Sequence, residues 1–359
     1  MKLLTTTVFV SASVLLVSNV WAGGNAKTPT DYTTLGELEK ALTSQLADAK
    51  TDTDFTLLLK SANGHEFRFS RGDSSPEKVY ESASTSKLVT AAVIMRLVEQ
   101  GKLRLDSHPQ DFIPSWPADG SQSHIELQHL LNFTSGLKKS PPCSNLGKIS
   151  FETCTLRTLS FNGQSPEPGR QFYYDSTHMQ IAGLMAVKAA GVADWGAVFD
   201  DFRHDTGLFA KAAYDLPAPN NPRLAGGMHW SGAEYLDFLD ALYHGKVVTP
   251  ATLQQMITPQ TLQATVQYSP AKARIEQNWP YGFGVWIECE PKNNGCAGPQ
   301  RVSSPGAYGA YPFMDFRHQY VGILARQGGL KTFDRGYQFL DNQSAWLERW
   351  ANLAANTPN

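Results

Sequence analysis

Leu38, Leu42 and Leu46 recur at four-residue spacing through residues 37–49, which predicts a helix with one apolar face. Two short strand-like runs follow, at 55–60 and 66–70. They flank Ser61-Ala-Asn-Gly64, and an Asn-Gly pair between such runs predicts a hairpin. From 85 to 100 the chain is apolar on nearly every face (Leu88, Val89, Ala92, Val93, Ile94, Leu97, Val98), so this helix is predicted to be buried, with Gly101 ending it. Residues 102–275 read as helical patches broken by Pro, Gly and Ser loops. The pattern then changes: 281–288, 307–314 and 320–325 read as strands, and 338–353 as an amphipathic closing helix. Strands at both ends with helices between predict an α/β (α+β) fold. Its antiparallel sheet is built from both chain ends, flanked by helices, with a mainly helical insertion at roughly 102–275. Residues 23–50 form a lead and helix, and 51–355 the main domain. No repeats or low-complexity tracts interrupt this.

Composition narrows the classes. Of 359 residues, 42% are apolar and 18% charged, enough for a core, and the net charge of −2 with no basic cluster excludes nucleic acid as an expected partner. Mean hydropathy of −0.31 argues against a polytopic membrane protein. Residues 1–22 carry Lys2, an apolar stretch from Leu3 to Val20, and Val20 and Ala22 as small residues at a cleavage site, which reads as a secretory signal peptide. Polar Thr5, Thr7, Ser11, Ser13 and Ser18 dilute the run below a good spanning helix, so no stable membrane anchor is expected after its removal. The mature chain is then periplasmic or secreted, and its four cysteines are expected to pair as Cys143–Cys154 and Cys289–Cys296. A zinc site is the rival reading, but neither pair has C-x-x-C spacing, and the nine histidines show no metal-ligand spacing. No metal or organic cofactor is implied.

The candidate chemistry is Ser84-Thr85-Ser86-Lys87, an S-x-x-K at the start of the buried helix. Residues three apart share a helix face, so the Lys87 amine can reach the Ser84 hydroxyl. A lysine pressed into apolar surroundings loses its charge more easily and can act as the base that a serine nucleophile needs. The motif alone is common: Ser75/Lys78, Ser135/Lys138 and Ser269/Lys272 repeat it. Those copies have Pro or Gly after the Ser and are expected in loops.

The stretch from Val79 through Ser84 and Lys87 to Asp106 resembles the active-site helix of the serine β-lactamase and penicillin-binding protein superfamily. It is most similar to the branch of class C β-lactamases, D-alanyl-D-alanine carboxypeptidases and related serine esterases. Further elements follow in order. Leu130-Leu-Asn-Phe-Thr-Ser-Gly-Leu137 resembles the "HTSGL" signature, with Phe133 where the signature has His. Pro168-Gly-Arg-Gln-Phe-Tyr-Tyr-Asp-Ser176 resembles "PG..F.Y.N". Ala225-Gly-Gly-Met-His-Trp-Ser-Gly232 resembles the turn before a surface helix, and Tyr281-Gly-Phe-Gly284 the "YGLG" strand start. The resemblance covers roughly residues 50–350 and implies a β-lactamase/transpeptidase-like fold and a serine hydrolase. Ser84 would be the nucleophile, Lys87 its base, and Tyr174 of Tyr174-Asp175-Ser176 a second base or proton shuttle, ionising early beside the lysine. Ser176 would face substrate, and Tyr173 would pack.

The third motif departs from the pattern. Ser304-Pro305-Gly306, followed by Ala307-Tyr308-Gly309, matches best and puts Ser304 where relatives have Lys, His or Trp. Ser304 and Gly306 would then meet substrate, and the Ala307 N–H would join the Ser84 N–H as an oxyanion donor. A shifted alternative puts Arg301 at the cation position and Ser303 at the glycine. With no cation in the motif, carboxylate recognition is expected to weaken, and esters or amides are favoured over D-Ala-D-Ala peptides or β-lactams. A catalytically silent relative that binds peptidoglycan fragments or a partner protein is the reading from another class. His178 is a candidate for the cleft wall, as are Trp279, Trp286, Tyr308 and Tyr311, with core packing the default for the aromatics.

Overall fold

The structure, a computed structural model, describes residues 27–163, 165–292, 295–297 and 300–358. The signal-like stretch at 1–22 lies outside them. The chain enters through helix α1 (Leu35–Asp48), whose N-terminus is capped by Thr34 accepting from the Glu37 N–H, and then forms the hairpin β1 (Phe55–Ser61) and β2 (Glu66–Ser70). A short strand β3 (Val79–Glu81) leads into α2 (Ser86–Glu99). The helical lobe carries α3 (Leu127–Leu131), α4 (Phe151–Asn162), β4 (Gln171–Tyr173), α5 (Thr177–Ala190) and α6 (Trp195–Thr206). Strands β5 (Ala213–Tyr214) and β6 (Met228–Ser231) pair with β3, and α7 (Gly232–Tyr243), α8 (Pro250–Met256), β7 (Thr265–Tyr268) and α9 (Pro270–Ile275) follow. The chain closes with β8 (Trp286–Glu288), β9 (Arg301–Ser303), β10 (Tyr311–Asp315), β11 (Tyr320–Arg326) and α10 (Phe333–Ala355).

The main sheet has six strands in the order β2-β1-β11-β10-β9-β8, all antiparallel, so both chain ends do build one sheet. Its two faces follow the period of two. Leu57 and Leu59 of β1 point into a cluster with Leu38, Leu42 and Leu46 of α1 and Leu340, Leu347 and Trp350 of α10. Leu58 points the other way, into the larger core shared with α2, α5 and α7. Helix α2 is buried continuously from Ser86 to Met95, as its all-round apolar sequence requires. Helix α7, expected at the surface, instead lays Leu236 and Leu239 onto β1, β10 and β11.

Four features differ from the pattern. The 281–288 run joins the main sheet only from Trp286, because Gly284 turns the chain at φ +76° and folds Tyr281 back into a bridge with Trp286; a Cβ at Gly284 would lie 2.7 Å from the Lys87 carbonyl oxygen. The 307–314 run becomes a strand only at Tyr311, since Gly306 to Gly309 is a turn closed by the Gly309 N–H on the Gly306 carbonyl at 2.9 Å. Strand β9 has three residues, too few for its alternation to register. Ser269-Pro270, expected in a loop, opens α9, with Ser269 as N-cap.

The structure links Cys143 to Cys154 and Cys289 to Cys296. The first link closes an 11-residue separation and ties the segment before α4 to that helix. Replacing both Cys143 and Cys154 with Ser is expected to cost about 2–3 kcal/mol of stability through the loop entropy returned to the unfolded chain. Urea unfolding of the oxidised protein and the double variant measures it; equal midpoints would show that the link constrains nothing.

Candidate active site

Ser84 sits in a single 3-10 turn, Ala83–Thr85, that runs straight into α2. Ala83 before it holds φ at 46°, a left-handed conformation unfavourable for alanine. The surroundings impose it. The Ser82 and Ser86 hydroxyls are hydrogen-bonded to each other, both lie within reach of the Ala83 carbonyl (2.8 and 2.9 Å), so that one donates to that carbonyl and the other to its neighbour, and the Ser82 N–H is held by the Met228 carbonyl at 2.9 Å. The nucleophile candidate is thus presented on a turn fixed from both sides.

Lys87 is 2% exposed, and its Nζ lies 2.8 Å from Ser84 Oγ and 2.7 Å from the Ala225 carbonyl oxygen. Burial lowers its pKa to about 7; the charge of Asp175 opposes the shift and that of Arg223 adds to it. Among the described residues, the other S-x-x-K copies do not make this contact. Ser75 and Ser269 accept their lysine's backbone N–H, at 3.1 and 3.2 Å, and Ser135 bonds His178.

Tyr174 follows β4. Its ring stacks on Trp286 (centroids 5.3 Å apart), meets Phe133 edge-on at 5.4 Å, and lies 4.7 Å from Lys87 Nζ. Its side chain and that of Ser84 line the same cavity, close enough for Ser84 to act on the phenol's pKa. Early ionisation of this phenol was the expectation; the direction is the reverse. Burial pushes the Tyr174 pKa up, outweighing the neighbouring Ser84 hydroxyl that lowers it. Tyr173 packs against Tyr268, at 5.6 Å.

A cavity of about 370 Å³ opens over this group. Ser84, Tyr174, Trp286, Pro305, Gly306 and Ala307 line it. Pro305, Gly306 and Ala307 lie at the cavity and Arg301 does not, which is the placement that the first alignment of the third motif expects. Arg301 is paired with Glu288 at 2.5 Å and lies over Phe313, and Ser303 is buried. Gly306 is required by close approach, since a Cβ would come within 2.5 Å of the Ser82 carbonyl oxygen.

Two residues expected to face substrate, Ser304 and Ser176, are not among those lining the cavity. Ser304 is 3% exposed, and its hydroxyl turns back to the Ser84 carbonyl at 3.1 Å, so it buttresses the nucleophile's backbone. Ser176 stands at the N-terminus of α5 and does not line the cavity, while its neighbour Asp175 accepts from Ser140 Oγ (2.6 Å) and the Thr177 N–H (2.8 Å). Of the other cleft candidates, Trp286 lines the cavity, whereas Trp279, Tyr308 and Tyr311 do not, and His178 is completely buried behind Tyr174.

Sequence reasoning missed Tyr268, Pro270, Arg274, Lys331 and Phe333, which complete the wall. Arg274 Nη2 donates to the Lys331 carbonyl (2.7 Å) and pairs with Asp334 (3.2 Å), which joins α9 to the loop after β11. No local signal marks these residues; only the docking of α9 on the start of α10 brings both cations to the rim.

The family model described as Beta-lactamase matches residues 57–337. Among curated proteins, Penicillin-binding protein 4 of Amycolatopsis lactamdurans is 29% identical over 125 residues, covering 32% of this chain and 31% of that protein. Esterase EstB of Burkholderia gladioli is 32% identical over 84 residues, covering 23% and 21%. The matched segments thus span less than a third of these relatives. Among solved structures, the D-amino acid amidase of Ochrobactrum anthropi SV3 superposes with a TM-score of 0.67 at 17% identity, over 89% of this chain and 99% of that one. At that identity the likeness speaks to the fold.

Proposed function

The chain belongs to the Beta-lactamase family, and from that premise we propose that it is an exported serine hydrolase that forms an acyl-enzyme on Ser84 and acts on esters or amides. The carrying observation is the buried Lys87 amine 2.8 Å from the Ser84 hydroxyl at the floor of a cavity. In this reading Ser84 Oγ attacks the substrate carbonyl and its proton passes to neutral Lys87. The N–H groups of Ser84 and Ala307 receive the developing oxyanion. Tyr174, protonated because burial raises its pKa, relays the proton to the leaving group. Water then attacks the acyl-serine ester, releases the acid and restores Ser84. The two disulfides support an oxidising compartment outside the cytoplasm.

The cavity wall is largely aromatic and prolyl (Tyr174, Tyr268, Trp286, Phe333, Pro270, Pro305), which suits an apolar acyl group. Arg274 and Lys331 favour a second reading, a D,D-peptidase or β-lactamase whose substrate carries a carboxylate. Magnitudes decide between them. A shielded charge-assisted hydrogen bond from the third motif is worth roughly 1.5–3 kcal/mol. A solvent-exposed cation contributes about 0–1 kcal/mol, and Lys331 is exposed while Arg274 is already engaged by Asp334. Neutral esters are therefore expected to be the better substrates.

The test is labelling with a fluorophosphonate and, separately, a fluorescent penicillin, followed by peptide mapping to Ser84. A silent relative takes neither label. Steady-state assays are expected to show p-nitrophenyl butyrate turning over readily and penicillins slowly. Lys331→Ala should lower penicillin acylation by no more than about fivefold, the most an exposed pair supplies. A loss of about a hundredfold or more, confined to the carboxylate substrates, would establish the second reading instead.

A further inference from the structure

Behind Tyr174, on the side away from the cavity, lies a buried polar relay for which the mechanism above has no role. His178 is on the first turn of α5 and is wholly inaccessible. Its Nε2 is 2.9 Å from the Tyr173 carbonyl oxygen, and its Nδ1 is 2.9 Å from Ser135 Oγ. A carbonyl only accepts, so Nε2 carries the proton. In a neutral ring Nδ1 then accepts, which makes Ser135 the donor, and the Leu137 N–H approaches Ser135 Oγ at 3.4 Å. The relay runs one way: Leu137 N–H to Ser135, Ser135 O–H to His178, His178 N–H to the Tyr173 carbonyl.

The second grip is aromatic. Phe133 lies flat on the imidazole, with centroids 4.8 Å apart and planes 12° apart, and its other side meets Tyr174 and Tyr281. The Phe133 backbone is held at φ 61°, and its carbonyl accepts the Tyr173 N–H at 3.1 Å. Both backbone polar groups of Tyr173 are thereby fixed, one by Phe133 and one by His178. The next residue, Tyr174, has its own N–H on the Tyr268 carbonyl at 3.1 Å. A phenol that must meet Ser84 within a hydrogen bond's tolerance needs this backbone held, since errors approaching 1 Å at a reacting group can cost up to about a hundredfold in rate. The charged groups acting on the imidazole are Asp175 and Lys87, and burial keeps the ring neutral.

We infer that His178, with Ser135 behind it, is a positioning residue that locks the Tyr173-Tyr174 backbone so that the Tyr174 hydroxyl stays aimed at Ser84. The inference rests on the reading that Tyr174 carries a proton in acylation. It goes beyond that reading by assigning a function to a side chain that never meets substrate.

The test is a double-mutant cycle on acylation of the full chain by p-nitrophenyl butyrate, normalised to sites titrated with fluorophosphonate. His178→Phe keeps the ring and its stacking but loses both hydrogen bonds. It is expected to slow acylation about tenfold while KM changes less than about twofold. His178→Gln, which keeps an N–H donor, should recover most of the rate. In the Tyr174→Phe background, His178→Phe should cost little more, because there is no hydroxyl left to aim. If the two losses simply multiply, or if His178→Phe lowers only the melting temperature, the inference is overturned. If Tyr174→Phe itself acylates at the parent rate, the role of Tyr174 fails first and the inference falls with it. Should His178→Phe not fold, Ser135→Ala takes its place in the same cycle, with a smaller loss expected and the same criterion of non-additivity.

Discussion

Replacing Ser84 with alanine is expected to abolish covalent labelling and lower turnover by about 10³-fold or more, the usual consequence of removing a nucleophile. The size follows from what would remain. Ala307, Gly306 and the aromatic wall would still bind substrate, and Lys87 would still be buried beside position 84. Without an oxygen on the turn, however, no acyl-serine can form, and a water molecule in its place gains no orientation from the backbone that fixes Ser84. Stability should change little, because the hydrogen bonds that hold the strained Ala83 turn come from Ser82, Ser86 and Met228 rather than from the Ser84 hydroxyl. Mass spectrometry after fluorophosphonate treatment reads the first effect and thermal unfolding the second. A covalent adduct on another serine in the Ser84→Ala protein would show that the nucleophile has been misassigned.

Lys87→Met is expected to cost about 10²–10⁴-fold in acylation, the range for a lost general base, and Lys87→Arg should not restore it, since a guanidinium does not give up its proton. The pH profile of the parent protein tests the same assignment. Burial lowers the Lys87 pKa to about 7, so kcat/KM should rise with pH through a midpoint near that value and then level off. No fall is expected at moderately alkaline pH, because the Tyr174 phenol is shifted upward. A profile that is flat across pH 7 would remove Lys87 as the base. Stability moves with the opposite substitution logic. The folded pKa of Lys87 lies below its unfolded value of 10.5. As pH falls from 10.5 towards 7, the unfolded chain takes up a proton that the folded one does not. The penalty on folding therefore grows over that window and is complete below about 7. Lys87→Met removes the penalty but leaves the Ala225 carbonyl without its donor, a loss of about 1–3 kcal/mol. The variant should gain melting temperature over the parent at pH 6–7, with the gain shrinking towards pH 10.

Short-range periodicity made several parts of this protein readable before any tertiary contact was known. Leu38, Leu42 and Leu46 mark a helix, the short runs on either side of Asn63-Gly64 mark a hairpin, and the strongly apolar stretch from Leu88 to Val98 marks a buried helix. The Ser84–Lys87 contact was legible for the same reason: three residues of helix place the two side chains on one face whatever surrounds them. The cysteine pairs were likewise legible, since each closes a short separation.

Everything set by the meeting of distant segments needed the folded chain. Ser304 turns to the Ser84 carbonyl, 220 residues away in sequence, because the third-motif turn is pressed against residues 82–84, and no local pattern states which way a serine faces. Ser176 loses its expected place because Asp175, bonded to Ser140, fixes the start of α5. Arg274 and Lys331 reach one cavity rim through a bond across 57 residues. The direction of the Tyr174 shift belongs here too. Ionisation beside a lysine is a pairwise argument that sequence can supply, but desolvation sums over Phe133, Tyr281 and Trp286 from two segments far apart in the chain. Helix and strand periods are properties of the backbone and act over a few residues. Burial, side-chain direction and charge shifts are properties of the packed whole, where each group responds to neighbours that the chain brings back from far along its length.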